Sequence, residues 1–198
     1  GYFRGQLAYW QKDENGNYQP QIIFAEPGAV QFDTLECNND SKTDLMVLFA
    51  HGNERISLFV NKGEGSFQER VLLRFPPVYG SSAFVLADID GDQRQDIIYT
   101  CGDNADLSLI AKDYHGIYIF RNEGDFRFEQ VFFQPMPGAY EVVVEDFDQD
   151  GDQDVAALAF FVEEDLPQSP AFIYLEQQDT LSFRATTQDI KPLGRWIS

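Results

Sequence analysis

Asp146-Phe147-Asp148-Gln149-Asp150-Gly151-Asp152-Gln153-Asp154 runs directly into Val155-Ala156-Ala157-Leu158-Ala159-Phe160, and this junction of an acidic loop with a short apolar run decides how the rest of the chain is read. Counted from Asp146, carboxylates occupy positions 1, 3, 5 and 9, with glycine at position 6. Such spacing wraps oxygen ligands around a hard cation, and the glycine permits the sharp turn. Four convergent carboxylates in so small a loop repel one another unless a cation lies among them. Ca²⁺ suits an all-oxygen set better than Mg²⁺, which retains water, or Zn²⁺, which favours nitrogen and sulfur. The apolar run is too short and too rich in small and β-branched residues for an amphipathic helix, so it reads as a buried strand.

The same junction recurs upstream. Asp88-Ile89-Asp90-Gly91-Asp92-Gln93-Arg94-Gln95-Asp96 leads into Ile97-Ile98-Tyr99-Thr100, keeping the four carboxylates but placing Gln93 at position 6. Glu36-Cys37-Asn38-Asn39-Asp40-Ser41-Lys42-Thr43-Asp44 leads into Leu45-Met46-Val47-Leu48-Phe49 with fewer carboxylates and a lysine. Fewer ligand charges weaken a Ca²⁺ site, so this loop is expected to be empty or weak. An EF-hand needs a bidentate glutamate at position 12 and flanking helices; here position 12 is Tyr99 or Ala157, inside a strand-like run.

Gly28, Gly80, Gly138 and Gly194 set the phase, and the first three stand eight residues before their acidic loops. A third strand follows in each repeat at Ile56 to Asn61, Ile117 to Asn122 and Phe172 to Glu176, then a polar turn and a fourth strand near Phe67, Phe128 and Phe183. Four short antiparallel strands per repeat, stacked so that each sheet buries its faces on neighbours, make an all-β fold of β-propeller blades. The division expected is a partial blade at 1–26, blades at 27–75, 76–134 and 135–190, and the start of another at 191–198. Residues 6–24 match only third and fourth strands. Three complete blades fall short of the four to eight of a closed ring, so the expectation is part of a larger propeller, or a ring completed by a second copy.

Composition limits the partners. The 198 residues carry 33 acidic and 14 basic side chains, for a formal charge of −19, and nine of the carboxylates lie in the second and third loops. Nucleic acid and anionic membrane surfaces would be repelled. No apolar stretch approaches the roughly 18 residues of a membrane helix, and Gly1-Tyr2-Phe3-Arg4 does not resemble a signal peptide, so any export signal is expected outside this chain. Cys37 and Cys101 are the only cysteines and are expected to be buried free thiols rather than a disulfide framework.

Together with the hairpins Asn61-Lys62-Gly63-Glu64-Gly65 and Arg121-Asn122-Glu123-Gly124, these loops resemble FG-GAP/VCBS-type repeats, the propeller family that includes the headpiece repeats of integrin α subunits. The resemblance covers nearly the whole chain. It implies a ring commonly of seven blades and two structural Ca²⁺ ions. Their side-chain ligands would be Asp88, Asp90, Asp92 and Asp96, and Asp146, Asp148, Asp150 and Asp154, with backbone carbonyls of Arg94 and Asp152 at position 7.

In a meander the loops between strands 2 and 3 and between blades leave from the end opposite the acidic loops. The loops at that end differ most among blades, His51 to Arg55 being short, Asp103 to Gly116 long and Val162 to Ala171 intermediate, and long loops on a rigid scaffold are common binding elements. Tyr79, Tyr114, His115 and Tyr140 lie at this end and offer an aromatic surface suited to a sugar or a protein loop, although aromatics also serve cores and both His51 and His115 read as structural. The function expected is a calcium-binding module for recognition or adhesion of a protein or carbohydrate ligand, at an extracellular, cell-surface or periplasmic location where millimolar calcium fills weak sites. The alternative is a carbohydrate-active enzyme, a polysaccharide lyase or hydrolase, which would need a deep axial pocket holding an acid/base residue. No Ser-His-Asp pattern, P-loop or dinucleotide fingerprint points to other chemistry.

Overall fold

The computed structural model describes residues 5–103, 112–160 and 170–188. The expectations for the loops at 103–116 and 162–171 fall largely outside these residues, and those for 191–198 wholly outside. All described regular structure is β: three four-stranded antiparallel sheets and a two-stranded one, the architecture of propeller blades. Two compact units divide the chain, Gly1–Pro77 and Val78–Ser198.

In the first unit β1 (Leu7–Lys12) and β2 (Tyr18–Phe24) form a hairpin. A sheet follows in the order β3 (Ala29–Leu35), β4 (Asp44–Phe49), β5 (Arg55–Gly63), β6 (Ser66–Arg74). Val47, Phe49 and Phe59 are buried, with Leu7, Ile23, Phe24, Leu45 and Phe67 packed around them. The two inner strands are buried over most of their length because both of their faces are covered, whereas outer β6 alternates.

The second unit holds β7 (Ser81–Ala87), β8 (Asp96–Cys101), β9 (Gly116–Asn122) and β10 (Phe128–Pro135), then β11 (Ala139–Glu145), β12 (Asp154–Ala159), β13 (Phe172–Asp179) and β14 (Ser182–Gln188). Each set of four is a meander paired in sequence order. One apolar core joins them, with Ile89, Ile98, Ile117 and Ile119 from the earlier sheet against Val142, Val155, Ala157, Ile173 and Leu175 from the later. Ser82 Oγ donates to Ala139 O at 2.9 Å and Thr100 Oγ1 to Tyr140 O at 3.2 Å, fixing where β11 begins.

The phase-setting glycines have a shared structural cause. Gly28 and Gly80 have positive φ, and their carbonyls accept from Ala50 N at 2.8 Å and Gly102 N at 3.0 Å. A Cβ on Gly28 would stand 2.8 Å from Ala50 O, and one on Gly80 only 1.9 Å from Asp103 O, so no other residue fits this close approach. Gly138 repeats the bond, accepting from Phe160 N at 2.8 Å. Each first strand then slips register at its start, between Ala29 and Gln31, Ser81 and Ala83, and Ala139 and Glu141. This is a bulge kept in all three sheets.

Cys101 is buried as expected, but Cys37 is only half-buried, because it lies in the turn of the first acidic loop rather than in a strand. Partial burial and the neighbouring Asp44 push its thiol up to about 12, so it stays protonated at neutral pH.

Arg55 is 2% exposed yet charged. Its guanidinium carbon lies 3.8 Å from the centroid of the Phe49 ring and 5.4 Å from that of Phe24, and it pairs with Glu69 at 3.1 Å and Glu26 at 3.7 Å. Phe24 and Glu26 come from the hairpin side, so Arg55 joins hairpin to sheet. Arg55→Ala is expected to lower unfolding free energy by about 3–5 kcal/mol, as for a broken buried pair. Arg55→Lys should recover only part of it, having neither the planar stack nor the fork; urea denaturation of the two variants checks both.

Candidate metal centres

The acidic loops are built on one buried aspartate each. Asp44, Asp96 and Asp154 are 0% exposed at the ninth position. Their Oδ2 atoms accept the backbone N–H of position 2, from Cys37 at 2.9 Å, Ile89 at 3.1 Å and Phe147 at 3.3 Å. Their Oδ1 atoms accept the backbone N–H at the end of the third strand, from Asn61 at 2.7 Å, Asn122 at 2.7 Å and Gln177 at 2.9 Å. Those three amides reach back to the carbonyl of position 8: Asn61 to Thr43 at 3.1 Å, Asn122 to Gln95 at 3.1 Å, Gln177 to Gln153 at 3.3 Å. Their oxygens accept from the following turn, at Gly63, Gly124 and Leu181. Loop and hairpin are thereby locked together in each four-stranded sheet. Sequence reasoning missed this amide latch; its trace was the asparagine two residues before Gly63 and Gly124.

Within each loop the carboxylates point inward because backbone N–H groups hold them. Asp92 N donates to Asp88 Oδ1 at 2.9 Å and Asp90 Oδ1 at 3.2 Å, and Asp150 N to Asp146 Oδ1 at 3.1 Å and Asp148 Oδ1 at 3.2 Å. Positions 4 and 6 are both left-handed: Asn39 and Ser41, Gly91 and Gln93, Gln149 and Gly151. Each of the two fully acidic loops places a single glycine at one of these two positions. Gln93 at position 6 is therefore matched by Gly91 at position 4, and the first loop has neither glycine.

Carboxylate oxygens of Asp88, Asp90 and Asp96 come within 4.8 Å of one another, as do those of Asp146, Asp148 and Asp150. Oxygens bound to one Ca²⁺ at 2.3–2.6 Å lie at most about 5 Å apart, so both triads fit a single ion. Asp152 Oδ1 is buried with no hydrogen-bond partner, as expected for an oxygen in a cluster that needs a cation. Of the remaining expected ligands, Asp92 pairs with the Arg94 guanidinium, and Asp154 Oδ2 takes a second bond from Tyr174 Oη at 2.7 Å; neither joins its triad. Among the described residues the first loop forms no such triad, and Asp40 is paired with Lys42 Nζ at 2.9 Å.

Burial first, then the charges of Asp90 and Asp92, raise Asp96 to about 6 against the lowering effect of its bonds from Asn122 and Ile89. Asp148 and Asp152 are pushed up as well, by desolvation and by their acidic neighbours. The Tyr174 hydroxyl is raised by its bond to Asp154.

At the other end of the second unit, Tyr79 and Tyr114 stack with centroids 5.1 Å apart and planes 6° from parallel, and Tyr118 lies beside Tyr79 at 6.0 Å. His115 is fully buried, and its backbone carbonyl accepts from Met136 N at 3.0 Å. Tyr140 is 46% exposed and sits against Phe160 at 5.3 Å.

A family model described as FG-GAP-like repeat matches residues 37–99 and 102–157, more than half of the chain. The matched spans include the second and third loops whole and the first from Cys37 onward. No curated protein matches the chain.

Two expectations follow from this geometry. A Cβ at Gly91 or Gly151 meets nothing within 4 Å, so Gly91→Ala and Gly151→Ala test backbone strain alone; each should cost roughly 1 kcal/mol, while Gln93→Gly stabilises by a similar amount, read from chemical denaturation. Because the Asp96 pKa is raised in the folded chain, its stabilising contribution is present below about pH 4 and is lost as pH rises through about 6. In chelator the ¹³C shift of the Asp96 carboxyl should titrate near pH 6, and Ca²⁺ should move that midpoint downward.

Proposed function

The chain belongs to the FG-GAP-like repeat family, and on that premise we propose that it is a calcium-stapled blade module for recognition or adhesion outside the cytoplasm, at the cell surface or in the periplasm. The observation that carries this reading is the pair of aspartate triads, each within 4.8 Å, at equivalent loops of successive sheets. Asp88, Asp90 and Asp96 hold one Ca²⁺, and Asp146, Asp148 and Asp150 the other. Each ion neutralises carboxylates that the fold has already turned inward and fixes the connection between first and second strands. Sites of this kind, partly buried in the second loop and more open in the third, suit the affinity range of extracellular modules, on the order of 10⁻⁴ to 10⁻³ M.

The ligand, a protein or a carbohydrate, is met at the end opposite the metal loops. Tyr140 and Phe160 support this, being about half exposed at that end of their sheet; amphipathic aromatics offer both a stacking face and a hydrogen-bonding rim.

Calorimetric titration of the chelator-stripped chain should find two Ca²⁺ equivalents and a raised melting temperature. Asp88→Ala and Asp146→Ala should each remove one equivalent. A stripped chain that binds no Ca²⁺ at millimolar concentration rules the reading out.

A further inference from the structure

The three acidic loops share one backbone pattern. The N–H of position 5 donates to the side-chain oxygens of positions 1 and 3, in the first loop as Asp40 N to Glu36 Oε1 at 3.3 Å and to Asn38 Oδ1 at 3.1 Å. The N–H of position 7 donates to position 5: Lys42 N to Asp40 Oδ1 at 2.9 Å, Arg94 N to Asp92 Oδ1 at 2.9 Å, Asp152 N to Asp150 Oδ1 at 3.1 Å. On this common frame the side chain at position 7 differs in sign. Lys42 places its ammonium 2.9 Å from Asp40 Oδ2. Arg94 pairs with Asp92 while its Nε donates to Asn122 O at 2.7 Å, which anchors the guanidinium to the end of β9. Asp152 brings a further carboxylate, whose Oδ1 is buried without a partner.

We propose that position 7 sets how much external cation each loop requires: Lys42 supplies the first loop from within, Arg94 neutralises the second in part, and Asp152 leaves the third wholly dependent on a bound ion. The inference rests on the calcium reading above and refines it, making Lys42 and Arg94 internal competitors of the metal and positioning residues for Asp40 and Asp92. It orders the affinities as third loop, then second, then first. It accounts for Asp92 standing outside its triad, since its carboxylate already has a cation. It also accounts for the first loop keeping the shared backbone pattern with fewer carboxylates.

The test isolates each loop. With the third disabled by Asp146→Asn and Asp148→Asn, adding Arg94→Gln should tighten Ca²⁺ binding at the second about tenfold, the effect of removing one nearby positive charge and releasing Asp92. With the second disabled by Asp88→Asn and Asp90→Asn, adding Asp152→Lys should weaken the third by at least as much. Unchanged affinities in both, with Ca²⁺ still bound, overturn the inference and leave the calcium reading standing. A second measurement needs no metal: in chelator, Lys42→Gln and Arg94→Gln should lower the melting temperature by more than Lys62→Gln, the same charge change on an exposed hairpin residue, and Asp152→Asn should raise it. If the wild-type chain binds no Ca²⁺, the calcium reading fails by itself. The melting series then decides, and shifts no larger than that of Lys62→Gln overturn the internal-cation role.

Discussion

A buried carboxylate that joins two backbone segments is the constraint on which these sheets depend. Asp44, Asp96 and Asp154 each accept one N–H from the loop they close and one from the end of the third strand. Bonds to an ionised acceptor contribute about 1.5–3 kcal/mol each, and losing the acceptor would strand two donors in a buried site. The bonds also fix geometry, since the first connection and the third hairpin are held at one point. The amides of Asn61, Asn122 and Gln177 close the same junction from the other side. This explains the ninth-position aspartate of the first loop, where position 3 is an asparagine and position 7 a lysine.

With that junction in place, the carboxylates at positions 1, 3 and 5 gather because backbone N–H groups orient them, before any ion arrives. Preorientation concentrates negative charge, and in a chain of net charge −19 that concentration is unfavourable unless something positive answers it. The first loop answers it with an ammonium and the second with a guanidinium, whereas the third adds a further carboxylate oxygen that has no partner. Both acidic triads lie in the unit Val78–Ser198, whose apolar core includes Ile89, a residue of the second loop itself. The second loop is therefore continuous with that core, whereas Phe147 at the same place in the third loop is 47% exposed.

The repeat, the strand positions and the acidic loops were legible in the sequence because each rests on local chemistry with a fixed spacing. Gly28, Gly80 and Gly138 were visible as a phase, but their cause, a carbonyl contact with the end of the second strand, joins residues about 22 apart and cannot be seen in a linear pattern. Glycine at position 6 was read as the requirement of the turn; the requirement is left-handed backbone at positions 4 and 6, which Gly91 meets from the other side. The aromatic face was half legible. Tyr140 is exposed, whereas Tyr79 and Tyr114 stack on each other and His115 is enclosed, because packing against neighbours outside the motif decides where a large ring points.

Spacing alone made the second and third loops equivalent, and third-strand residues make them different. The residue paired with the third residue of the second strand is Leu58 in one sheet, Ile119 in the next and Tyr174 in the last. Only the tyrosine carries a donor, and it places it on Asp154 Oδ2, which already accepts from Phe147 N. Asp96 accepts one bond on each oxygen, whereas Asp154 Oδ2 accepts two; Asp154 stays outside the cluster, and the third triad draws on Asp150 where the second draws on Asp96. A motif of identical carboxylate positions thus yields two different carboxylate triads, because the neighbouring strand determines which oxygens are already engaged.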